Sequence, residues 1–259
     1  ICCPAVGGFV AAYVGITIGR LVAGKTKLDL LITPAITILS GGAVGILVGP
    51  GVSSFMTWLG NLVNWGTEQQ PILMGIVVSV IMGMVLTLPI SSAALGIILG
   101  LNGVAAGAAT IGCCCQMIGF AVTSFKDNGV GGLFAQGIGT SMLQMPNIVR
   151  RPVIWLPAIL TSAVTGPLAT CFFKLEMNGA PINSGMGTCG LCGPIGVWTG
   201  WLEPSADAVA NGAVALDPTW FDYLGLVLVC FVLPAVICWA LGLLCRKLGW
   251  IKEGDLKLD

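Results

Sequence analysis

Histidine is absent from this sequence, charged residues make up only 8% of it, and tyrosine occurs twice. Each shortage excludes a class of function. Without histidine the usual Ser-His-Asp triad lacks its base, and no Gly-x-Ser-x-Gly elbow is present. Eleven lysines and arginines balance eleven acidic residues, with no basic stripe interleaved with aromatics, so no nucleic-acid partner is expected. An average soluble domain carries roughly 25% charged residues. This chain has too little polar surface to cover itself in water.

Apolar residues and glycine are abundant instead: 56% of the chain is hydrophobic and mean hydropathy is +0.97. Several apolar stretches approach or exceed the roughly 20 residues that carry a helix across a hydrocarbon core about 30 Å thick. The expected fold class is an all-α integral membrane protein, a single polytopic domain over 1–259. Many of the 38 glycines stand four apart (Gly15 and Gly19; Gly41, Gly45 and Gly49; Gly96 and Gly100; Gly103 and Gly107). That spacing puts small residues on one helix face and lets helices approach closely in lipid. Ile1 opens on an apolar segment without an initiator Met, which predicts a longer parent chain with further N-terminal helices.

Nine of the eleven cysteines (Cys2, Cys3, Cys113 to Cys115, Cys171, Cys230, Cys238 and Cys245) lie in apolar runs and read as small hydrophobes. Cys189 and Cys192 form a C-x-x-C, but with no histidine and no second pair nearby a tetrahedral metal site would lack ligands. No metal and no cofactor is expected.

Along the chain, a helical hairpin is expected over 3–24 and 30–49. An amphipathic segment with Trp58 and Trp65 over 51–70 suits the headgroup region. The core, 71–202, is predicted to be broken: Pro89 interrupts its first span at TLPISS (87–92), and 103–124 makes a small-residue helix. Residues 129–148 are too polar to face lipid, 152–174 form a span, and 177–202 read as a glycine-rich re-entrant loop. An acidic external loop (203–219) precedes the last span and a charged tail (220–259). Arg20, Lys25, Lys27, Arg150, Arg151, Arg246, Lys247, Lys252 and Lys257 fall on one side in this layout, with Lys126 and Lys174 opposite. That distribution places the C-terminus in the cytoplasm and supports about seven crossings, with 129–148 open between a crossing and a re-entrant segment.

Irregular backbone cannot face lipid, so 87–92, 129–147 and 177–200 are expected to be buried or to line a wet cavity. They carry hydroxyls and amides: Ser91, Ser92, Gln136, Thr140, Ser141, Gln144, Asn147, Asn178, Asn183, Ser184 and Thr188, with Gln116 on the intervening helix. The set suits a neutral, hydroxyl-rich ligand such as a sugar or polyol, although each member alone is equally accounted for by a helix–helix hydrogen bond. Glu176 stands apart as an ionisable group at a membrane boundary, a functional candidate unless it merely anchors the interface with Lys174. Gly185, Gly187 and Gly190 satisfy G-x-G-x-x-G, but no strand precedes them and a dinucleotide site is not expected.

The segments TLPISSAALGI (87–97), GVAAGAATIG (103–112), GIGTSMLQMPNI (137–148), GPLATCFFKLEMN (166–178) and SGMGTCGLCGPIG (184–196) resemble, in order, the membrane IIC-type proteins of the bacterial phosphotransferase system. The resemblance points to the subgroup that includes the perfringolysin regulator PfoR. It implies a multi-pass protein of the bacterial inner membrane, a homodimer, that carries a sugar for phosphorylation by a separate cytoplasmic IIB protein fed by IIA. Sugar-transporting IIC families place a histidine or glutamate near the bound sugar. This chain departs from that pattern in having no histidine, and Glu176 is the one acidic residue within a matching motif. No catalytic phosphoryl-transfer residue is assigned to this chain. A solute-binding membrane sensor that signals without transport is the alternative reading. A channel would need intramembrane charge pairs or a carboxylate ring, for which few candidates exist.

Overall fold

A computed structural model describes residues 4–23, 29–67 and 70–258; Cys2, Cys3, Lys25 and Lys27 lie outside them. Every regular element among the described residues is helical. The chain divides into two compact units, 1–61 and 62–259.

The first unit holds α1 (Pro4–Val22) and most of α2 (Asp29–Thr67). The segment expected to lie apart over 51–70 is instead continuous with the helix before it. Pro34 and Pro50 are both accommodated inside α2, since a proline removes one donor and does not end a helix whose neighbours remain helix-compatible. Close approach explains only part of the glycine pattern here. A Cβ on Gly15 would stand 2.8 Å from the Thr37 carbonyl oxygen, whereas Gly42 and Gly49 face open space.

The second unit is built on three helices that pack at glycine. Pro71 opens α3 (Pro71–Thr87), where its missing N–H costs nothing. Pro89 forces Leu88 into extended backbone (φ −68, ψ 155) and ends the helix, as expected. The chain turns back into α4 (Ser92–Ile98), capped by the Ser91 hydroxyl on the Ala94 N–H. Next comes α5 (Gly103–Thr123), the buried centre of the unit. A Cβ on Gly112 would overlap the Ser79 carbonyl, so α3 and α5 touch backbone to backbone. On the other side of α3, the Ser79 hydroxyl donates to the Ser162 carbonyl of α8 (Leu156–Pro167) at 2.8 Å.

Between α5 and α8 the chain forms α6 (Phe125–Phe134), a π-helical turn (Ala135–Gly139), a 3-10 turn (Ser141–Gln144) and α7 (Met145–Arg150). After α8, Lys174 takes a left-handed φ of +46 and the chain runs irregularly to α9 (Cys192–Leu202). Then follow α10 (Ala206–Ala210), α11 (Trp220–Val227) and α12 (Leu233–Lys247), the last two joined by a π-turn into one rod.

Among the described residues four helices are long and apolar enough to cross a membrane: Ile32–Gly51, Gly103–Thr123, Pro152–Phe172 and Trp220–Lys247. Ala11–Val22 and Pro71–Thr87 are apolar but shorter. The count of about seven included 129–148, and this segment folds back on itself: the Gln144 amide donates to Gln136 at 3.0 Å, and Asn128 and Asn147 both hold the C-terminal tail. Lys126 therefore lies at the same end as Arg150, which corrects its expected place opposite. Arg246 confirms the position, since its Nη2 reaches the Thr123 carbonyl at 3.1 Å and pairs with Asp127 at 2.8 Å. In this unit Lys126, Arg150, Arg151, Arg246, Lys247, Lys252 and Lys257 share one end. Lys174 is at the other with Glu176, Glu203, Asp207, Asp217 and Asp222.

Polarity is inverted relative to a water-soluble core. Gln116, Gln136, Gln144, Thr161 and Thr165 are fully buried, while Trp220 is 82% and Phe172 66% exposed. At the basic end Phe120, Ile148, Ile154 and Cys238 form an apolar cluster that also encloses Ile251 and Leu256 of the tail.

Candidate functional site

The three irregular segments expected to wall a site do meet, midway along α5. The π-turn at 135–139 leaves carbonyls without the usual i to i+4 partner, and the Thr188 hydroxyl donates to that of Gly137 at 2.6 Å. The Thr87 and Ser141 hydroxyls lie 3.0 Å apart. Two fold-back segments thus touch at their tips, 125–150 rising from the basic end and 173–202 from the acidic end.

Gln116 of α5 stands beside this junction, fully buried. Its Oε1 accepts from the Trp155 indole N–H at 2.9 Å and lies 3.4 Å from the Thr87 hydroxyl. Because an indole N–H can only donate, the orientation of the amide is fixed. The Gln116 Nε2 has no partner among the described residues, and leaving a buried donor unmatched costs about 1–3 kcal/mol.

The other candidates are dispersed in further groups. Ser92 donates to the Gly185 carbonyl at 2.6 Å and Ser184 to that of Pro181 at 2.7 Å, which ties α4 to the descending arm of 173–202. Ser91 and Thr140 cap the turns that follow them. Gln144 and Asn147 lie at the basic end, where they bind the carbonyls of Leu256 and Lys257 at 2.9 Å each. Asn183 packs against Gly196, a position where any Cβ would collide with it.

Glu176 and Asn178 form the last group, at the acidic end. The Asn178 amide donates to Glu176 Oε2 at 3.0 Å, and its Oδ1 accepts the Gly103 N–H at 2.9 Å. Asn178 thereby fixes the carboxylate against the first turn of α5. No ion pair joins Glu176 to Lys174 among the described residues. The carboxylate instead borders a cavity of about 170 Å³, lined also by Phe173, Lys174, Trp201, Asp217 and Asp222. Trp201 and Asp217 had no motif to mark them; a tryptophan close after a glycine-rich loop was the available signal. Asp222 closes a capping box on Thr219, which leaves Glu176 and Asp217 as the carboxylates free of that duty.

Residues 19–26 read GRLVAGKT, which satisfies the G-x-x-x-x-G-K-T spacing of a phosphate-binding loop. Gly19 to Val22 are the last turn of α1, however, so these amides are engaged within a helix and follow no strand. Gly24, Lys25 and Thr26 lie outside the described residues. The C-x-x-C is likewise unsupported as a metal site, since no group of three or more cysteine or acidic side chains converges among the described residues.

No curated protein and no solved structure shows significant similarity to the chain. The family model described as "Phosphotransferase system, EIIC" matches residues 3–258, nearly the whole sequence. With its long apolar helices and this match, the chain is a multi-pass membrane protein that belongs to the EIIC family of the phosphotransferase system.

Proposed function

We propose that this chain is the membrane-embedded component of a phosphoenolpyruvate-dependent sugar phosphotransferase system, translocating a sugar or similar polyol as a homodimer in the bacterial inner membrane. Phosphorylation belongs to cytoplasmic IIA and IIB partners. The observation that carries the reading is the cavity at Glu176, whose lining joins the aromatic residues Trp201 and Phe173 to a carboxylate acceptor, Glu176. A pyranose presents that chemistry in reverse, apolar C–H faces and equatorial hydroxyl donors.

The gathering of seven basic residues at one end favours that end as cytoplasmic. The Glu176 cavity then faces outward, and the junction of Thr87, Gln116, Ser141 and Thr188 lies beneath it as a closed barrier. Transport requires the tips of the two fold-back segments to part, a movement within 87–200 that accompanies an elevator or rocking motion of that region against the remaining helices. The unpaired Gln116 amide becomes available to a solute hydroxyl once they do.

Uptake of a labelled sugar panel in cells expressing the full-length gene tests this, with Glu176→Gln and with the phosphotransferase pathway deleted. A charge-assisted hydrogen bond contributes about 1.5–3 kcal/mol, so Glu176→Gln should reduce uptake at least tenfold, and pathway deletion should abolish accumulation. Binding of solute to the purified protein without uptake of any sugar would instead identify a membrane sensor.

A further inference from the structure

A second cavity, of about 190 Å³, opens at the basic end between α5, α6 and α12. Trp239, Gly242, Leu243 and Arg246 line one side of it. They stand at i, i+3, i+4 and i+7, hence on one face of α12. The stripe passes from an indole to a guanidinium over about 10 Å of helix. Gly242 forms the notch: a Cβ there would meet the Thr123 side chain at 2.8 Å. Across the cavity stand Phe125 and Lys126.

The charges are unequal in their commitments. Arg246 uses Nη2 for both Asp127 and the Thr123 carbonyl, and its Nε and Nη1 have no partner among the described residues. Lys126 is exposed and joins no ion pair among the described residues. Among the lining residues and Asp127, one carboxylate stands against two cations, which leaves the rim positive. Below the rim the walls are apolar, and Trp239 and Phe125 are about half exposed to the surroundings.

From this we infer that the cavity is a binding site for an anionic phospholipid, with the phosphate between Lys126 and Arg246 and an acyl chain along Trp239 and Leu243. The occupant follows from the order of the chemistry. A free phosphate would leave the apolar stripe uncovered, and a zwitterionic lipid would bring a cationic headgroup to a positive rim. Basic pockets between helices at one leaflet hold anionic headgroups for these reasons. This inference does not depend on the solute or on transport.

The test uses the purified full chain, exchanged into nanodiscs of phosphatidylcholine with or without phosphatidylglycerol, with retained lipid counted by native mass spectrometry. The wild type should retain phosphatidylglycerol preferentially. Lys126→Gln should weaken that preference about fivefold, the factor for about 1 kcal/mol per basic residue near a charged headgroup. Lys252→Gln, at the same end but outside the cavity, should leave it unchanged. Equal losses in both variants would mean diffuse surface attraction and overturn the site, as would equal retention of the two lipids. Displacement of the lipid by soluble glycerophosphate at matched concentration would reduce it to a phosphate site and overturn the lipid assignment. Lys126 is exposed, so its variant is expected to fold, and thermal unfolding in phosphatidylcholine alone checks that it does.

Discussion

Asn128 holds the C-terminal tail in a way that permits a quantitative test. Its amide nitrogen donates to the Leu256 carbonyl at 2.7 Å, and its oxygen accepts the Leu258 N–H at 2.8 Å, so one side chain completes two backbone groups. Asn128→Ala removes both bonds. The Leu256 carbonyl keeps a donor in Gln144, at 2.9 Å, while the Leu258 N–H loses its acceptor. At about 1 kcal/mol per net hydrogen bond, the tail should be weakened by about 2 kcal/mol, which is about thirtyfold in its opening equilibrium. Hydrogen–deuterium exchange over 251–258 in nanodiscs reads that equilibrium directly. Asn128→Asp retains the acceptor but sets a carboxylate oxygen against the Leu256 carbonyl, and should loosen the tail at least as much. The buried Leu256 side chain opposes release in every variant, so the effect should be local and leave the thermal midpoint nearly unchanged. Exchange within twofold of wild type in Asn128→Ala would refute the reasoning and leave apolar burial and the bonds from Gln144 and Asn147 as the restraints.

Two contrasts test the remaining packing. Asp127→Asn breaks an ion pair whose side chains are 14% and 8% exposed, and removes a full charge from the oxygen that receives the Gly254 N–H; a loss of about 3 kcal/mol is expected on thermal unfolding. Arg151→Gln breaks the Asp255 pair with Arg151 46% exposed and should cost at most about 1 kcal/mol. Gly112→Ala drives a methyl into the Ser79 carbonyl, which cannot rotate away, and should reduce stability by about 3 kcal/mol or prevent folding. Gly131→Ala faces open space and should be within about 0.5 kcal/mol of wild type by the same assay.

The break at Pro89, the burial of Gln136, Ser141, Ser184 and Thr188 and the close approach at Gly107 were legible because each follows from residue chemistry. The direction of 129–148 was not. Its polarity leaves open whether it crosses or re-enters, and the ties of Gln144 to Gln136 and of Asn128 and Asn147 to the tail reveal the return. Treating it as a crossing inverted the assigned side of Lys126. The tail's attachment was hidden for another reason: its partners are the backbone groups of Leu256 and Leu258, which leave no mark in sequence. The dispersal of the predicted site has the same origin, since amides that suit a sugar equally suit a carbonyl, as Gln144 and Asn147 illustrate. Asn183 and Ser184 lie on the arm below the Glu176 cavity rather than among its lining residues.

The tip of 173–202 carries Cys189 and Cys192, both half-buried, within a few residues of the Thr188 contact, whereas Cys113 to Cys115 on α5 are wholly enclosed. The molecule thus contains two native chemical handles beside the junction of its fold-back segments, and Cys171, exposed near the end of the span Pro152–Phe172, supplies an internal reference. Alkylation rates at these thiols turn tip separation into a kinetic signal that needs no engineered label, and a solute that changes the ratio between them reports the motion in the unmodified chain.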